Sequence, residues 1–269
     1  MNSHRPTLIA LELLCFARKA KADTQRCDDA TGFSADGRFA VADGVTSCGV
    51  ASGYFAQFLT DHFTVHSTLT EIDQAIASEE ELEAWLCRLA PQWQHFVSGL
   101  FGAYSLEWTE RAWTKGEPTG CTFAGIRVVQ SDPSRRHLNV IVVGDAAVYL
   151  INDQVIEKFR QKEQVSPALA GATNAIQLRF QNNSRTLARS PVLRHNIPLV
   201  CGSYVVLATD AVADWIEAQC ATATSTPIEA LRNLLDLRSQ TDFEGWLSEV
   251  HGKLPEDDKA VMILKVRPE

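Results

Sequence analysis

Short apolar runs, bounded by polar residues and glycines, recur along the chain and predict buried strands. The predicted strands cover residues 7–16, 39–42, 121–129, 138–143, 146–151, 204–210 and 260–266. The first run is rich in Leu and Ala, so a helix stays open as its alternative. The strands between 121 and 151 follow one another through tight turns, which indicates antiparallel pairing rather than βαβ units.

Longer stretches carry their apolar residues at helical spacing. Residues 49–66 fit one helical face, and Ser47 is a candidate N-cap. A second helix begins with acidic residues at Glu79, and Pro91 is expected to open a new segment that runs to about Trp108. The remaining predicted helices begin at residues 212, 227 and 243. Two long helices in succession after two strands indicate a helical layer over one side of a sheet.

Residues 152–200 are polar and interrupted by prolines, and they are the least regular part of the chain. Two interpretations stay open for them: a flap that faces substrate, and an irregular insertion without a catalytic role. The sequence shows no internal repeat and no linker. It therefore predicts one domain over residues 1–269, with a variable, flap-like excursion at about 152–200.

The composition narrows the class of protein. The chain has 269 residues, 45% of them hydrophobic and 22% charged, which is typical of a globular protein with a sizeable core. The net charge of -8 argues against non-specific nucleic-acid binding, and no apolar run approaches the ~20 residues of a membrane span. Seven cysteines without a CxxC pair indicate reduced thiols. Together with the polar start, this predicts a cytoplasmic protein without a nucleic-acid or membrane partner.

Aspartates stand at the ends of three predicted strands and in a pair upstream of them. They are Asp43 followed by Gly44, Asp210, the pair Asp257-Asp258, and the upstream pair Asp28-Asp29. A single Asp-Gly after a strand is usually only a turn, so the repetition carries the argument. Clustered carboxylates repel one another unless cations neutralise them, and all-oxygen donors favour Mg²⁺ or Mn²⁺. Two such ions ~3.5–4 Å apart would activate a bridging water, which suits hydrolysis of a phosphate ester.

The order of these motifs resembles the protein phosphatase 2C family, the metal-dependent serine/threonine phosphatases, in a divergent bacterial-type form. The matching segments are Cys27-Asp-Asp-Ala30, Phe39-Ala-Val-Ala-Asp-Gly-Val45, Gly120-Cys-Thr122, Val143-Gly-Asp-Ala146, Val206-Leu-Ala-Thr-Asp-Ala-Val212 and Asp257-Asp-Lys-Ala-Val261. The resemblance implies an α+β fold: a four-layer α-β-β-α sandwich of two mostly antiparallel sheets flanked by helices.

The resemblance also implies the cofactors and the roles of the aspartates. It implies two Mn²⁺ or Mg²⁺ ions and a weaker third. Asp43 would bridge the two ions and the Gly44 carbonyl would bind one of them. Asp210 and Asp257 would hold the other ion. The catalytic set would be Asp43 with Asp28 and Asp29, the last two orienting waters on the metal, and a metal-bridging water would attack phosphoserine or phosphothreonine.

The chain departs from the family pattern at the residue that holds the substrate phosphate and at the ligand of the third metal ion. Thr24 stands where the family has an arginine that holds the substrate phosphate. Arg26, Arg18 and Lys21 are candidate replacements, although solvated surface cations are an open alternative. Glu117 is the nearest acidic residue to the position of the third-metal ligand.

Two further departures affect the acidic motifs. The third motif reads Asp210-Ala211 in place of Asp-Gly. Asp145, in Gly144-Asp-Ala-Ala147, is interpreted as a turn residue rather than a site residue.

Three hypotheses follow from these motifs. The first is a cytoplasmic Mn/Mg-dependent protein serine/threonine phosphatase in signalling, with a phosphoprotein substrate and a cognate serine/threonine kinase as candidate partner. The second is a catalytically weak or inactive phosphatase-like module that binds phosphoproteins or a partner kinase, which the altered Thr24, Ala211 and Ala146-Ala147 motivate. The third is an unrelated antiparallel α+β enzyme that uses its carboxylates for another hydrolysis.

Overall fold

Eleven strands form the frame of the molecule within the part of the chain that the structure describes. The computed structural model describes residues 9–18, 27–45, 50–104, 107–132, 135–161, 175–178, 187, 190–250, 252–254 and 257–268. The strands are β1 Ile9–Arg18, β2 Asp29–Phe33, β3 Arg38–Gly44, β4 Thr119–Asp132, β5 Arg135–Val143, β6 Ala147–Ile151, β7 Ile156–Phe159, β8 Ile176–Leu178, β9 Val192–Pro198, β10 Tyr204–Ala208 and β11 Lys259–Pro268. Each strand predicted from the sequence is present, and the first apolar run is a strand rather than a helix.

The strands assemble into two sheets in which the described pairings are antiparallel. One sheet has the order β1-β11-β10-β6-β7. The other has the order β2-β3-β4-β5-β9, and the short β8 pairs with β4. The hairpin from β2 to β3 turns at residues 34–37.

The helices fall into two groups, one on each side of the pair of sheets. The helices are α1 Ser52–Asp61, α2 Leu69–Ala77, α3 Glu79–Tyr104, α4 Glu107–Thr114, α5 Asp210–Thr222, α6 Pro227–Ala230, α7 Arg232–Leu235 and α8 Gln240–Glu249. A π-helical turn, His62–His66, continues α1. Among the described residues, no helix combines the length and the apolar character that crossing a bilayer requires.

Three separate hydrophobic layers hold the fold together. Along β11, Val261 packs in a core with α5 to α8, whereas Met262 packs between the two sheets. Phe123 of β4 packs instead in a core that α1 to α4 share with the second sheet. Because successive residues of a strand face opposite sides, each sheet buries both of its faces. The prediction of a four-layer α-β-β-α sandwich is therefore confirmed.

Pro91 does not open a new helical segment, and this prediction was wrong. The helix α3 runs without a break through Pro91 for 26 residues. Buried residues on both sides of it, Leu89 and Trp93, keep the helix packed on the sheet. Proline removes the hydrogen bond to the carbonyl of residue 87, and Cys87 is exposed, so water can satisfy that carbonyl.

Other differences from the sequence prediction come from strands that lie at sheet edges. β7, β8 and β9 fall within residues 152–200, where no strand was predicted. β7 and β9 are outer strands with mixed burial, so they lack the clear alternation of a half-buried strand. The segment between the predicted strands 121–129 and 138–143 is also mostly strand, because β4 extends to Asp132 and β5 begins at Arg135. α2 was also missed, and the predicted cap Ser47 lies outside the described residues.

Candidate active site

The pairing of β2 with β3 places two aspartates directly opposite each other. Asp29 is the register partner of Asp43, and Asp43 in turn is opposite Thr122 of β4. Phe39 and Val41, four and two residues before Asp43, pack between the sheets. Because side chains alternate along a strand, Asp43 points into the same space at the end of the strand. A row of three polar side chains thus closes one end of the core between the sheets.

A threonine from the opposite sheet fixes the more buried of these aspartates. Thr209, which links β10 to α5, donates its hydroxyl to a carboxylate oxygen of Asp29 at 2.7 Å. The same hydroxyl accepts the N–H of Ala260 at 3.0 Å, and the N–H of Thr209 donates to the Ala260 carbonyl at 3.1 Å. Asp29 is only 6% exposed. This chain of bonds ties the two sheets together at the acidic end.

Asp28 is held through its main chain at the start of α1. Its carbonyl accepts the N–H of Gly44 at 3.0 Å, and its own N–H donates to a carboxylate oxygen of Asp258. A Cβ on Gly53, in the first turn of α1, would come within 2.3 Å of a carboxylate oxygen of Asp28. A Cβ on Gly44 would come within 2.6 Å of the Gly53 nitrogen. Both glycines are therefore required for this close approach of helix and strands.

The remaining predicted aspartates add their charge to the same group. Burial raises the pKa of Asp43, and the carboxylates of Asp210, Asp257 and Asp145 raise it further. Burial also raises the pKa of Asp29 well above its usual range, and the charge of Asp43 acts in the same direction. The five carboxylates therefore act on one another electrostatically, although they are far apart in sequence.

Asp210 shows the same effect from its position at the first residue of α5. Burial, with the charges of Asp145 and Asp257, raises the pKa of Asp210 to about 6. The main-chain N–H of Ala211 donates to its carboxylate and opposes this increase. Asp145 occupies the turn after β5, as the sequence predicts, but its charge also acts on both Asp43 and Asp210. It belongs with the acidic group.

Next to Asp210 and Asp145 lies a polar cleft of about 500 Å³. Its lining residues are Asp145, Lys158, Arg160, Gln161, Asp210, Asp214 and Glu217. Arg160 donates to Asp214 at 2.6 Å, to Glu217 at 2.8 Å and to the carbonyl of Asp145 at 2.7 Å. The guanidinium group thus fixes the turn that carries Asp145 against α5.

Buried Gln161 fixes the opposite wall of this cleft. Its side-chain carbonyl accepts the N–H of Gly144 at 2.6 Å, and its amide group donates to the carbonyl of Ser190. One side chain therefore joins the turn at Asp145 to both ends of the segment between residues 161 and 190.

The sequence reasoning did not identify three residues of this site: Thr209, Asp145 and Lys259. Thr209 directly precedes Asp210, and Lys259 directly follows Asp257-Asp258, so both lie inside the acidic motifs of the sequence. Burial lowers the pKa of Lys259, and the nearby carboxylates oppose that change. Position within a motif was the available signal, but the chain alone does not show which neighbours face the carboxylates.

Of three further predicted residues, one lies apart from the buried group, one is described only through its strand pairing, and one lies outside the described residues. Glu117 is exposed in the turn between α4 and β4, where its main-chain N–H donates to the Ala112 carbonyl. Arg18 is the last residue of β1 and is the register partner of Lys259. Arg26 lies outside the described residues, as do Lys21 and Thr24.

The donor chemistry of the acidic group fits a hard divalent cation. The donors are carboxylate oxygens, which Mg²⁺ and Mn²⁺ prefer, and their combined negative charge is costly unless a cation offsets it. The hydroxyl of Thr122, beside Asp43 in the register, is buried and has no hydrogen-bond partner within the described ranges. Within those same ranges, no three acidic, histidine or cysteine side chains stand close enough to share one ion. The carboxylate oxygens are therefore suitable ligands for a divalent metal ion, but in the described residues they are not close enough together to bind one ion as a group of three.

Comparison with solved structures places this geometry in a known fold. No family model matches the chain, and no curated protein matches it. The chain is similar to a bacterial serine phosphatase, with 18% identity, a TM-score of 0.58 and coverage of 97% of this chain and 99% of that one. It is similar to the serine/threonine phosphatase Stp1 from Staphylococcus aureus, with 17% identity, a TM-score of 0.55 and coverage of 100% and 99%.

A third similar structure contains metal ions. It is the catalytic domain of the serine/threonine protein phosphatase PstP in complex with two manganese ions, with 14% identity, a TM-score of 0.51 and coverage of 96% and 99%. Identities this low establish a fold rather than an activity. The resemblance to phosphatase 2C that the motifs predicted is thereby confirmed for the architecture: the chain has the fold of the bacterial serine/threonine phosphatases.

Proposed function

We propose that this protein is a divalent-metal-dependent phosphatase that hydrolyses phosphoserine and phosphothreonine in proteins. The observation that carries the proposal is the group of interacting carboxylates at one end of the two sheets, centred on the opposed pair Asp29 and Asp43. The fold, which the bacterial serine/threonine phosphatases share, supports it. A buried acidic group without a cation is unfavourable, and phosphate-ester hydrolysis is a reaction for which such a group is useful.

In this proposal Asp43, the Gly44 carbonyl, Asp210 and Asp257 hold two Mn²⁺ or Mg²⁺ ions, and Glu117 is the candidate for a weaker third. When bound, such ions neutralise phosphate oxygens and lower the pKa of water. The protein's own contribution is to fix its carboxylates. Thr209 holds the carboxylate of Asp29, and Asp29 lies opposite Asp43 in the strand register.

Asp28 has a different part in this proposal, since it faces the start of α1. The hydrogen bonds from Gly44 and to Asp258 hold its main chain, and its carboxylate lies against Gly53 in the first turn of α1; we propose that this carboxylate orients solvent beside Asp43. Asp28 and Asp29 are thus proposed to act together with Asp43 in catalysis, each held by bonds to a different element.

The direct test is hydrolysis of a phosphoserine peptide with and without Mn²⁺. The wild-type protein is expected to turn over the peptide only with the metal. Asp43→Asn is expected to lose activity roughly 100-fold or more, since loss of even an outer partner of a metal site costs about 10–100-fold. Asp153→Asn, an exposed aspartate in the turn after β6, is the matched control. Equal activity of wild type and Asp43→Asn, or activity that survives EDTA, would defeat the proposal.

For the substrate phosphate, Arg18 and Arg26 remain the proposed ligands. Replacing either arginine by Gln is expected to raise KM for the phosphopeptide with a smaller effect on kcat, because the lost contact is already made before the reaction. Unchanged KM in both variants would show that the phosphate is held elsewhere.

The proposed substrates are cytoplasmic phosphoproteins, and a cognate serine/threonine kinase is the proposed partner, because the structures of this fold described above are protein phosphatases. Phosphopeptides are therefore expected to be better substrates than small phosphate esters. A clear preference for a small-molecule phosphate would count against a protein substrate. Cell fractionation tests the proposed location, and recovery of the protein from another compartment would contradict it. Co-purification tests the proposed partner, and recovery of the protein without a kinase would contradict it.

A second function is favoured by a separate observation. Within the described ranges no three ligating side chains form a ready-made metal set, and Thr24, Ala146 and Ala211 depart from the family pattern. These features suit a non-catalytic module that binds phosphoproteins or a partner kinase. Calorimetry with Mn²⁺ and with a phosphopeptide separates the two functions: peptide binding without metal binding or turnover supports the module, and metal-dependent turnover excludes it.

A further inference from the structure

Two histidines, His62 and His66, line a cleft of about 430 Å³ in the helical layer. They are the first and last residues of the π-helical turn that continues α1. Single π-helical turns are uncommon and occur frequently at functional sites. The acidic group lies at the opposite end of α1, where Gly53 meets Asp28. The histidine cleft is therefore a separate feature of the molecule, which the proposed function does not use.

The two imidazole rings stand at the separation that a shared metal ion requires. Their centroids are 5.0 Å apart, and their planes are inclined at 54°. A Zn²⁺–N bond of about 2.1 Å puts the ion about 3.2 Å from each ring centroid, so at the tetrahedral angle the two centroids are about 5.2 Å apart. The backbone thus already holds the rings at chelating distance, and rotation about the side-chain bonds can aim their nitrogens at one ion.

The turn that carries the two rings is firmly held. The guanidinium group of Arg38, which is only 5% exposed, donates to the carbonyls of Phe63 at 3.1 Å and Ser67 at 2.5 Å. The N–H of Ser67 donates to the His62 carbonyl at 2.9 Å and closes the π turn. The His62 ring packs on the ring of Phe58, with centroids 4.2 Å apart. A preformed backbone lowers the entropic cost of binding, because only side chains remain to be ordered.

The donors in the histidine cleft differ in kind from those of the acidic group. Imidazole nitrogens suit Zn²⁺, Ni²⁺ and Cu²⁺, whereas carboxylate oxygens suit Mg²⁺ and Mn²⁺. Two charged residues, Glu71 and Arg88, also line the cleft. Glu71 accepts the N–H and the hydroxyl of Thr68 on the same carboxylate oxygen, Oε2. Arg88 is exposed, so solvent and salt screen its positive charge.

We propose that His62 and His66 form a bidentate site for a transition-metal ion of the Zn²⁺ class. The two imidazoles are its protein ligands, because in the part of the chain that the structure describes no three acidic, histidine or cysteine side chains are close enough to share one ion. Water completes the coordination, and the second carboxylate oxygen of Glu71 accepts a hydrogen bond from that water. The site goes beyond the proposed function and shares no residue with it.

Calorimetric titration with Zn²⁺ in excess Mg²⁺ tests this site, since Mg²⁺ competes for oxygen ligands and leaves imidazoles free. Wild type is expected to show a Zn²⁺-binding step that is at least about tenfold weaker in His66→Gln, because even an outer partner of a metal site contributes about 10–100-fold to affinity. His95→Gln removes an exposed histidine from α3 and is the matched control. It is expected to bind Zn²⁺ like wild type. Equal affinity of wild type and His66→Gln overturns the proposal.

A second measurement needs only the wild-type protein, so it decides the matter even if a variant folds poorly. In NMR spectra of the imidazole rings, Zn²⁺ is expected to shift the signals of His62 and His66 together at one stoichiometry and to leave those of His95 in place. Unshifted signals of His62 and His66 overturn the proposal. Mn²⁺-dependent hydrolysis of the phosphopeptide is expected to be unchanged in His66→Gln, since the two sites are separate.

Discussion

The strongest quantitative prediction concerns Asp210→Asn in the metal-free protein. Asp210 has an ordinary pKa of 3.8, and burial with the neighbouring carboxylates raises it to about 6 in the folded state. At ~1.36 kcal/mol for each pH unit, this difference corresponds to about 3 kcal/mol of destabilisation when Asp210 is ionised. Since the side chain is partly exposed, solvent screening reduces the expected effect to about 1–2 kcal/mol.

The sign of this effect follows from proton linkage. Between about pH 4 and pH 6 the folded state binds more protons at Asp210 than the unfolded state, so stability falls as the pH rises through this range. Asparagine has the same shape, stays neutral and can still accept the N–H of Ala211. Asp210→Asn is therefore expected to stabilise the protein at pH 7.5 and to have little effect at pH 4.

Urea unfolding in EDTA at the two pH values measures this prediction. Asp242→Asn is the control, because Asp242 is also an aspartate in the first turn of a helix, α8. Its negative charge interacts favourably with the dipole of that helix. That control is expected to be slightly destabilising at pH 7.5, the opposite sign. If Asp210→Asn is no more stable than wild type at pH 7.5, or gains the same stability at pH 4, the electrostatic reasoning about the acidic group is refuted.

Two further predictions follow from the contacts that hold the site together. Thr209→Val should lower the free energy of unfolding by about 3 kcal/mol, because it leaves buried polar groups unpaired. Thr209→Ser should lower it by only about 1 kcal/mol, for the lost methyl group. Equal urea midpoints of the Thr209→Val and Thr209→Ser variants would contradict this prediction. Gly53→Ala should destabilise the protein by about 1–3 kcal/mol because its Cβ meets the Asp28 carboxylate at 2.3 Å. Gly99→Ala, in α3 with open space around it, should stabilise the protein by about 0.5–1 kcal/mol. Thermal unfolding measures both variants, and a shift of their melting temperatures in the same direction would refute the reasoning.

Much of the architecture could be predicted because the strands are buried on one or both faces. A strand such as β10, in which all five residues are buried, leaves an apolar run that the sequence shows directly. The outer strands β7 and β9 could not be predicted in the same way, because a strand paired on one side carries mixed burial and a weak period. Pro91 misled the helix boundary because packing on both sides of it outweighs the local cost of proline.

The aspartates could be named from the sequence, but their arrangement could not. That Asp29 faces Asp43 depends on the register of β2 and β3, and a shift of one residue would turn one of them to the opposite face. That Thr209 holds Asp29 depends on a contact between residues 180 positions apart. Such contacts follow from how two sheets pack on each other, and no local pattern along the chain encodes them.

The two bonds of Gln161 have an evolutionary consequence. Because one side chain clamps positions 161 and 190 to the turn at Gly144, the two ends of the intervening stretch lie together, and within it β8 pairs with β4 and Leu187 is buried in the core of the second sheet. The entropic cost of closing a loop grows only slowly with its length, so insertions or deletions between these anchored positions would cost the fold little. Related chains would then be free to vary this stretch in length and composition beside the cleft, and so to diversify their choice of substrate while keeping the acidic centre unchanged.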